Sequence, residues 1–381
     1  MIHIETFAYD AAQGWSKELP TGLDSDQSLL LVFSAPEFGV QPQPLKALSE
    51  AFPHAHIIGC STAGEIYSAS IDDHSITAAV VKFESTRLKS ISEPLERTQD
   101  SYKCGERIGK SLGSDELCAV LMLSVGTEVN GSELVKGLNS VLPPNVMVTG
   151  GLAGDGERFE STWVMHGATI GARSVTAVGF YGDQFRIGCG SMGGWDIFGP
   201  VRRITRSENN ILYELDGKPA LQLYKEYLGD RAEGLPATAL LFPLSLHFKD
   251  PGERNVVRTV LAVDEEKQSM VFAGDMPEGT LAQMMKANFD RLIDGAMGAA
   301  VQAREPLHGY APILSIAISC VGRRLVLGSR TEEELEVVLG ALPPGTAQIG
   351  FYSYGEISPA ISGLCDLHNQ TMTLTTISEA K

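Results

Sequence analysis

The residues best suited to chemistry in this 381-residue chain lie in three glycine-rich segments and a few scattered cationic side chains. The first segment, GCSTAGE, holds Gly59, Cys60, Ser61, Thr62, Gly64 and Glu65. Glycines around small polar residues let a backbone pass close to a ligand, and exposed N–H groups with hydroxyls can hold an anionic group. Glu65 adds a carboxylate for an amine. The same residues also suit a tight turn that permits close sheet packing. A second segment, GGLAGDG, contains Gly154 and Asp155, and a third, GFYSYGEI, contains Tyr352, Tyr354 and Glu356. The last three alternate, so on a strand they share a face. Two aromatic rings and a carboxylate would suit an amine or a planar ligand, and core packing by the tyrosines is the competing reading. Arg258, Arg323 and Arg324 could pair with a ligand carboxylate.

Cys60 invites comparison with a nucleophile, which needs a depressed pKa and a histidine within reach. Ile57 and Ile58 precede it, so the sequence favours a buried structural thiol. A hydrolase using Cys60 or Ser61 is the opposing functional class. Asp366 and His368 are two apart and share a face on an extended strand. Such a pair can orient an imidazole for base catalysis or metal ligation, or form a structural pair that Asn369 and Gln370 extend. Trp195, between GG and DIFGP, either covers a pocket or anchors a loop.

Charge narrows the partners. Thirty basic against 47 acidic side chains give −17, with no basic cluster, which argues against nucleic acid. No apolar run approaches the length of a membrane helix, so no membrane insertion is expected. The N-terminal MIHIETFAYD lacks the basic-then-apolar order of a signal peptide. Six scattered cysteines form no C-x-x-C pair. A reduced, cytoplasmic protein is the expectation.

Short apolar runs must position these residues. Leu29–Phe33, Ile76–Phe83, Ala119–Leu123 and Val175–Tyr181 read as strands. Pro44–Phe52, Gly131–Leu142 and Thr331–Leu339 space apolar residues as helices do, and Thr331 with Glu334 fits a capping box. A helix is also predicted over Pro219–Leu228, with Pro near its first position. The mixture means an α/β fold, with α+β as the alternative. Three units share one order: an apolar strand ending at Ser34, Ser124 or Ser319, a helix, then a strand running into glycine and an acid. Glycine-rich Ser191–Pro200 changes the character of the chain, and a polar hinge is read at Phe248–Arg254. Two packed halves, 1–215 and 216–381, built from mixed sheets with repeated strand–helix–strand units, are the predicted organisation.

GCSTAGE, GGLAGDG, GGWDIFGP and YELDGKPAL resemble the N-terminal half of the FIST family. FPL (242–244), VVRTVLAVD (256–264), PEG (277–279), SCVGR (319–323), GFYSYGEISP (350–359) and LHNQTMTL (367–374) resemble its C-terminal half. The motifs run in order over nearly the whole chain. The resemblance implies a sensory module of bacterial signal transduction that binds small ligands such as amino acids and works with histidine kinases, cyclic-diguanylate enzymes or chemotaxis receptors. Length and the lack of an attached output domain also look like the haem-containing nitric-oxide sensors of the family, which act on a partner histidine kinase. Haem with a diatomic gas is then the leading ligand, and an amino acid or related metabolite the alternative. Such a haem would be held non-covalently, with His247, His166 and His368 as axial candidates and the arginines as propionate partners.

Overall fold

The computed structural model describes residues 2–247, 255–359 and 364–380. The hinge read at Phe248–Arg254 falls outside them.

Three units repeat one plan, and each contributes six strands. Unit one has a lead strand His3–Asp10, a parallel pair Ser28–Ser34 and His56–Ser61, a hairpin Glu65–Tyr67/Ser70–Asp72, and a closing strand Ser75–Lys82. Unit two repeats this with Arg87–Pro94, Leu117–Ser124 and Met147–Leu152, Val164–His166/Thr169–Gly171, and Ser174–Tyr181. Unit three uses Phe185–Met192, Leu314–Cys320 and Ala347–Ser353, Gly355–Pro359/Cys365–His368, and Met372–Glu379. Parallel neighbours need a crossover, supplied by the helices Gln43–Ala51 in unit one, Gly131–Asn139 in unit two, and Val321–Leu327 with Thr331–Ala341 in unit three.

The hairpins are exchanged around a ring. That of unit one pairs with the strand Ala347–Ser353 of unit three, that of unit two with His56–Ser61 of unit one, and that of unit three with Met147–Leu152 of unit two. Each main sheet therefore runs hairpin, second parallel strand, first parallel strand, closing strand, lead strand. Where the three sheets meet, backbone bonds repeat cyclically: Ala63 N to Tyr352 O at 2.8 Å, Gly154 N to Ser61 O at 3.0 Å, and Tyr354 N to Leu152 O at 3.2 Å. The pseudo-threefold axis passes among them.

Period-two patterning places the core. Leu29, Leu31 and Phe33 face inward into one cluster shared by all three units. Leu30 and Val32 face outward against Leu45, Leu48 and Phe52 of the unit-one helix region. Gly59, Gly150 and Gly350 hold one equivalent position on the second parallel strands, opposite Val32, Met122 and Ala317. A Cβ there would lie 2.4, 1.8 and 1.8 Å from the neighbouring carbonyl oxygen, so the close approach of the strands requires glycine.

The chain leaves unit three after Met192 and builds a separate sheet from Asp196 to Lys286 before the helix Phe289–Arg304 returns it. The glycine-rich change at Ser191–Pro200 is this crossing. Ile204, Leu212, Tyr224, Phe242, Met270 and Phe272 give the inserted sheet its own core, which packs the helix Ala220–Leu228. Pro219 precedes that helix as its cap instead of opening it.

The α/β reading with mixed sheets and repeated strand–helix–strand units holds, and the repeat is threefold. One local expectation is corrected: Thr331 and Glu334 form no capping box. Thr331 already lies in the helix, and its hydroxyl donates to Gly328 O at 2.7 Å. Glu334 points into the core, where Arg323 neutralises it. A buried cation outcompetes a helix end for that carboxylate.

Candidate functional site

The acids after the glycines start the exchanged hairpins. Glu65 accepts from the Thr62 hydroxyl, from Ser75 N at 3.1 Å and from Ser75 Oγ at 2.8 Å. Glu356 does the same with Ser353 Oγ at 2.6 Å, Thr371 N at 3.2 Å and Thr371 Oγ1 at 2.9 Å. Each acid ties its hairpin to the closing strand of its own unit. Burial pushes both carboxyls up to about 8 against the donors that favour the charge. In unit two the position is Val164, opposite Cys60 as Glu65 is opposite Phe351.

Unit two instead inserts residues 155–163 at this point, and that loop makes the cleft. Asp155, 2 % exposed, organises it by accepting from Phe159 N at 2.9 Å, Glu160 N at 3.0 Å and Ser161 N at 2.8 Å. The Tyr354 hydroxyl also donates to Asp155, and the Tyr354 ring stacks on Phe159 at 4.3 Å. Between this loop and unit one lies a recess of about 180 Å³ walled by Thr62, Gly64, Glu65, Asp73, His74, Asp155 and Arg158. It shares walls with a groove of about 490 Å³ along Pro36–Val40 and with another of about 430 Å³ beside Arg324.

Charges of both signs line this strand-tip cleft. Arg324 comes from unit three and grips Asp73 of unit one through both carboxylate oxygens, at 2.9 and 2.6 Å, while also donating to Ala63 O at 2.6 Å. The guanidinium holds Asp73 below the ordinary carboxylate range. His74 pairs with Glu37, whose hydrogen bond and charge raise the imidazole. Asp73, His74, Glu37 and Arg158 were not singled out in the sequence, where nothing in DDHS, PEF or GERFE marks them as neighbours. Gly64 belongs here for a steric reason: its φ is +128° and a Cβ would meet Arg324 Nη1 at 2.4 Å.

The remaining sequence-selected residues disperse. Cys60 is fully buried, and desolvation with the nearby Glu65 pushes its thiol up, the reverse of what a nucleophile needs. Ser61 Oγ accepts from Trp163 N at 3.0 Å. Gly59 and Gly154 pack against backbone. Tyr352, Tyr354 and Glu356 do not form one ligand face, because the strand ends at Ser353 and a new one starts at Gly355. Tyr352 donates to Glu334 Oε1 at 2.7 Å in the core, far in role from Tyr354 on the Asp155 loop. Arg258 lies in the inserted sheet, buried, and donates to Leu367 O at 2.9 Å.

The three axial candidates also separate. His166 Nε2 meets Ser90 Oγ at 3.1 Å, and His368, 5 % exposed, meets Ser358 O at 3.3 Å. One ring nitrogen of each is thus engaged, and neither residue lines the strand-tip cleft. His247, on the strand Leu244–His247 of the inserted sheet, has a buried Nε2 without a hydrogen-bond partner among the described residues. Among the described residues no group of three His, Cys, Asp or Glu could hold a metal ion, and no helix is long and apolar enough to cross a membrane.

The chain is 23 % identical over 209 residues to an uncharacterized protein, MJ1623, of Methanocaldococcus jannaschii, covering 51 % of this chain and 39 % of that protein. The chain thus spans about two fifths of that relative's length. The FIST N domain matches residues 28–218 and the FIST C domain residues 220–359. In space, strands from both sides of that division pair in the inserted sheet. FIST domains are associated with the sensing of small ligands in signal transduction. With both domains matched in order across most of its length, the chain belongs to the FIST family.

Proposed function

We propose that the chain is a sensory protein of bacterial signal transduction whose strand-tip cleft takes a small zwitterionic metabolite, with amino acids as the type. The observation that carries this reading is Arg324 of unit three gripping Asp73 of unit one at the cleft wall. A ligand carboxylate would compete with Asp73 for that guanidinium, and the acidic residues Glu37 and Glu157 beside it suit an amine. Occupancy would therefore alter how two units are tied, and a partner can read such a change if ligand affinity differs between the two arrangements. A histidine kinase or a cyclic-diguanylate enzyme is the partner proposed. Thermal-shift titration with the twenty amino acids tests the reading. At least one should stabilise the protein saturably, as any ligand selective for the folded state does, and Arg324→Ala should abolish the shift. No stabilisation by any of them sinks it.

A second reading, haem-dependent nitric-oxide sensing, is favoured by one observation, the buried Nε2 of His247, which has no partner among the described residues. Haem would supply the gas-binding iron, and His247 would hold it. Absorption spectra of protein mixed with haem should then show a sharp Soret band that shifts with nitric oxide and is lost in His247→Ala. An unchanged band in that variant removes the reading.

A further inference from the structure

We infer that the strand tip of unit three, beneath the inserted sheet, is a second ligand site, for a small uncharged molecule with an amide- or ureide-like hydrogen-bonding edge. This inference stands independently of the amino-acid reading of the first cleft.

Pseudo-symmetry locates it. His74 precedes Ser75 as Gln370 precedes Thr371, both with φ of +63°, and Ser75 and Thr371 serve Glu65 and Glu356 identically. Asp73 and His74, which line the open cleft of unit one, therefore correspond to Asn369 and Gln370 in unit three. At this second tip the inserted segment forms a cover. Trp195 Nε1 donates to Gln370 O at 2.9 Å, Arg323 donates to Gly193 O, and Arg258 of the inserted sheet donates to Leu367 O.

The polar groups under that cover are unsatisfied. Asn369 and Gln370 are both 0 % exposed, and all four of their side-chain amide atoms lack a partner among the described residues. Buried polar atoms are nearly always paired, and each orphan costs on the order of 1–3 kcal/mol. Two orphaned amides on consecutive residues mark a place where something else supplies the bonds. Gly322 packs against the Gln370 amide so closely that a Cβ would come within 2.4 Å of Nε2.

The surroundings set the ligand chemistry. Arg323 is spent on Glu334 at 2.8 Å, both fully buried, so neither offers a free charge. Glu356 is engaged by Ser353 and Thr371. What remains is amide oxygen and amide NH₂, which match a neutral partner presenting donor and acceptor together. A charged ligand would lose its hydration without a counterion. Entry requires the inserted sheet to part from unit three, so occupancy would couple to that movement.

The test uses uracil, hydantoin and nicotinamide as probes, each titrated into the full chain with thermal shift and calorimetry as readouts. One or more should raise the melting temperature saturably, by several degrees, with one-to-one heat. Asn369→Leu and Gln370→Met should each lose that response while raising the melting temperature of the free protein, because they remove unpaired buried amides. No response to any of the three probes overturns the site, as does a response that survives both substitutions. If both substitutions lower the melting temperature of the free protein, trapped water already satisfies the amides, and the inference fails. The amino-acid response of the first cleft, measured on the same samples, reports separately on the earlier reading.

Discussion

Two carboxyl groups, Glu65 and Glu356, are held largely uncharged near neutral pH by their burial. Each has a folded value of about 8 against 4.5 for the free side chain, so the native state binds the extra proton. That contribution is complete below the unfolded value and is lost as pH rises through the folded one. Stability should therefore fall from about pH 5 towards 9, at a limiting slope of about 1.4 kcal/mol per pH unit for each group. Urea unfolding at several pH values checks this: Glu65→Gln or Glu356→Gln should flatten the decline, and an unchanged slope refutes it. Glu334 behaves differently, because it neutralises fully buried Arg323. Glu334→Ala should cost about 3–5 kcal/mol by leaving that cation unpaired, read as a drop in the urea midpoint. The sequence shows glycine followed by an acid in each repeat. It does not show that two of these acids meet hydroxyls at the start of a closing strand, since Ser75 and Thr371 lie ten and fifteen residues away along loops of different length.

At the level of elements, the strands Ser28–Ser34, Leu117–Ser124 and Leu314–Cys320 were legible because each is a mainly apolar run with a serine at or next to its end. The hairpin exchange was not. Short segments such as Glu65–Tyr67 carry no local sign of which sheet they join, because the pairing Glu65 to Phe351 is decided by the packing of distant units. The inserted sheet was visible only as a change in composition at Ser191–Pro200. The sharper repeat signal is the glycine on each second parallel strand. Gly150→Ala and Gly350→Ala should each destabilise by at least about 2 kcal/mol, since a methyl group would drive into a carbonyl oxygen 1.8 Å away. Gly59→Ala, with 2.4 Å, should cost less. Chemical denaturation of the three variants gives the order, and a loss at Gly59 equal to or larger than the other two would contradict this steric ranking.

For the molecule as a whole, the ring of exchanged strands means that no unit completes its sheet from its own residues. The three units should therefore melt in one transition by scanning calorimetry, whereas the inserted sheet, with its own core, can open separately. Separate transitions for units one, two and three would contradict this. The strand-tip cleft follows from the same scale: its walls come from all three units, so only part of it, GCSTAGE, Asp155 and Arg324, was visible in the sequence. The ring also sets a timetable for biosynthesis. Gln348 bonds Ser68 O across 280 residues of chain, so the first hairpin to leave the ribosome must wait for a strand made much later. At translation speeds of about 5–20 residues per second, that wait is roughly 15–55 s, during which the edge of Glu65–Asp72 is open to chaperones or to the same hairpin of a neighbouring nascent chain.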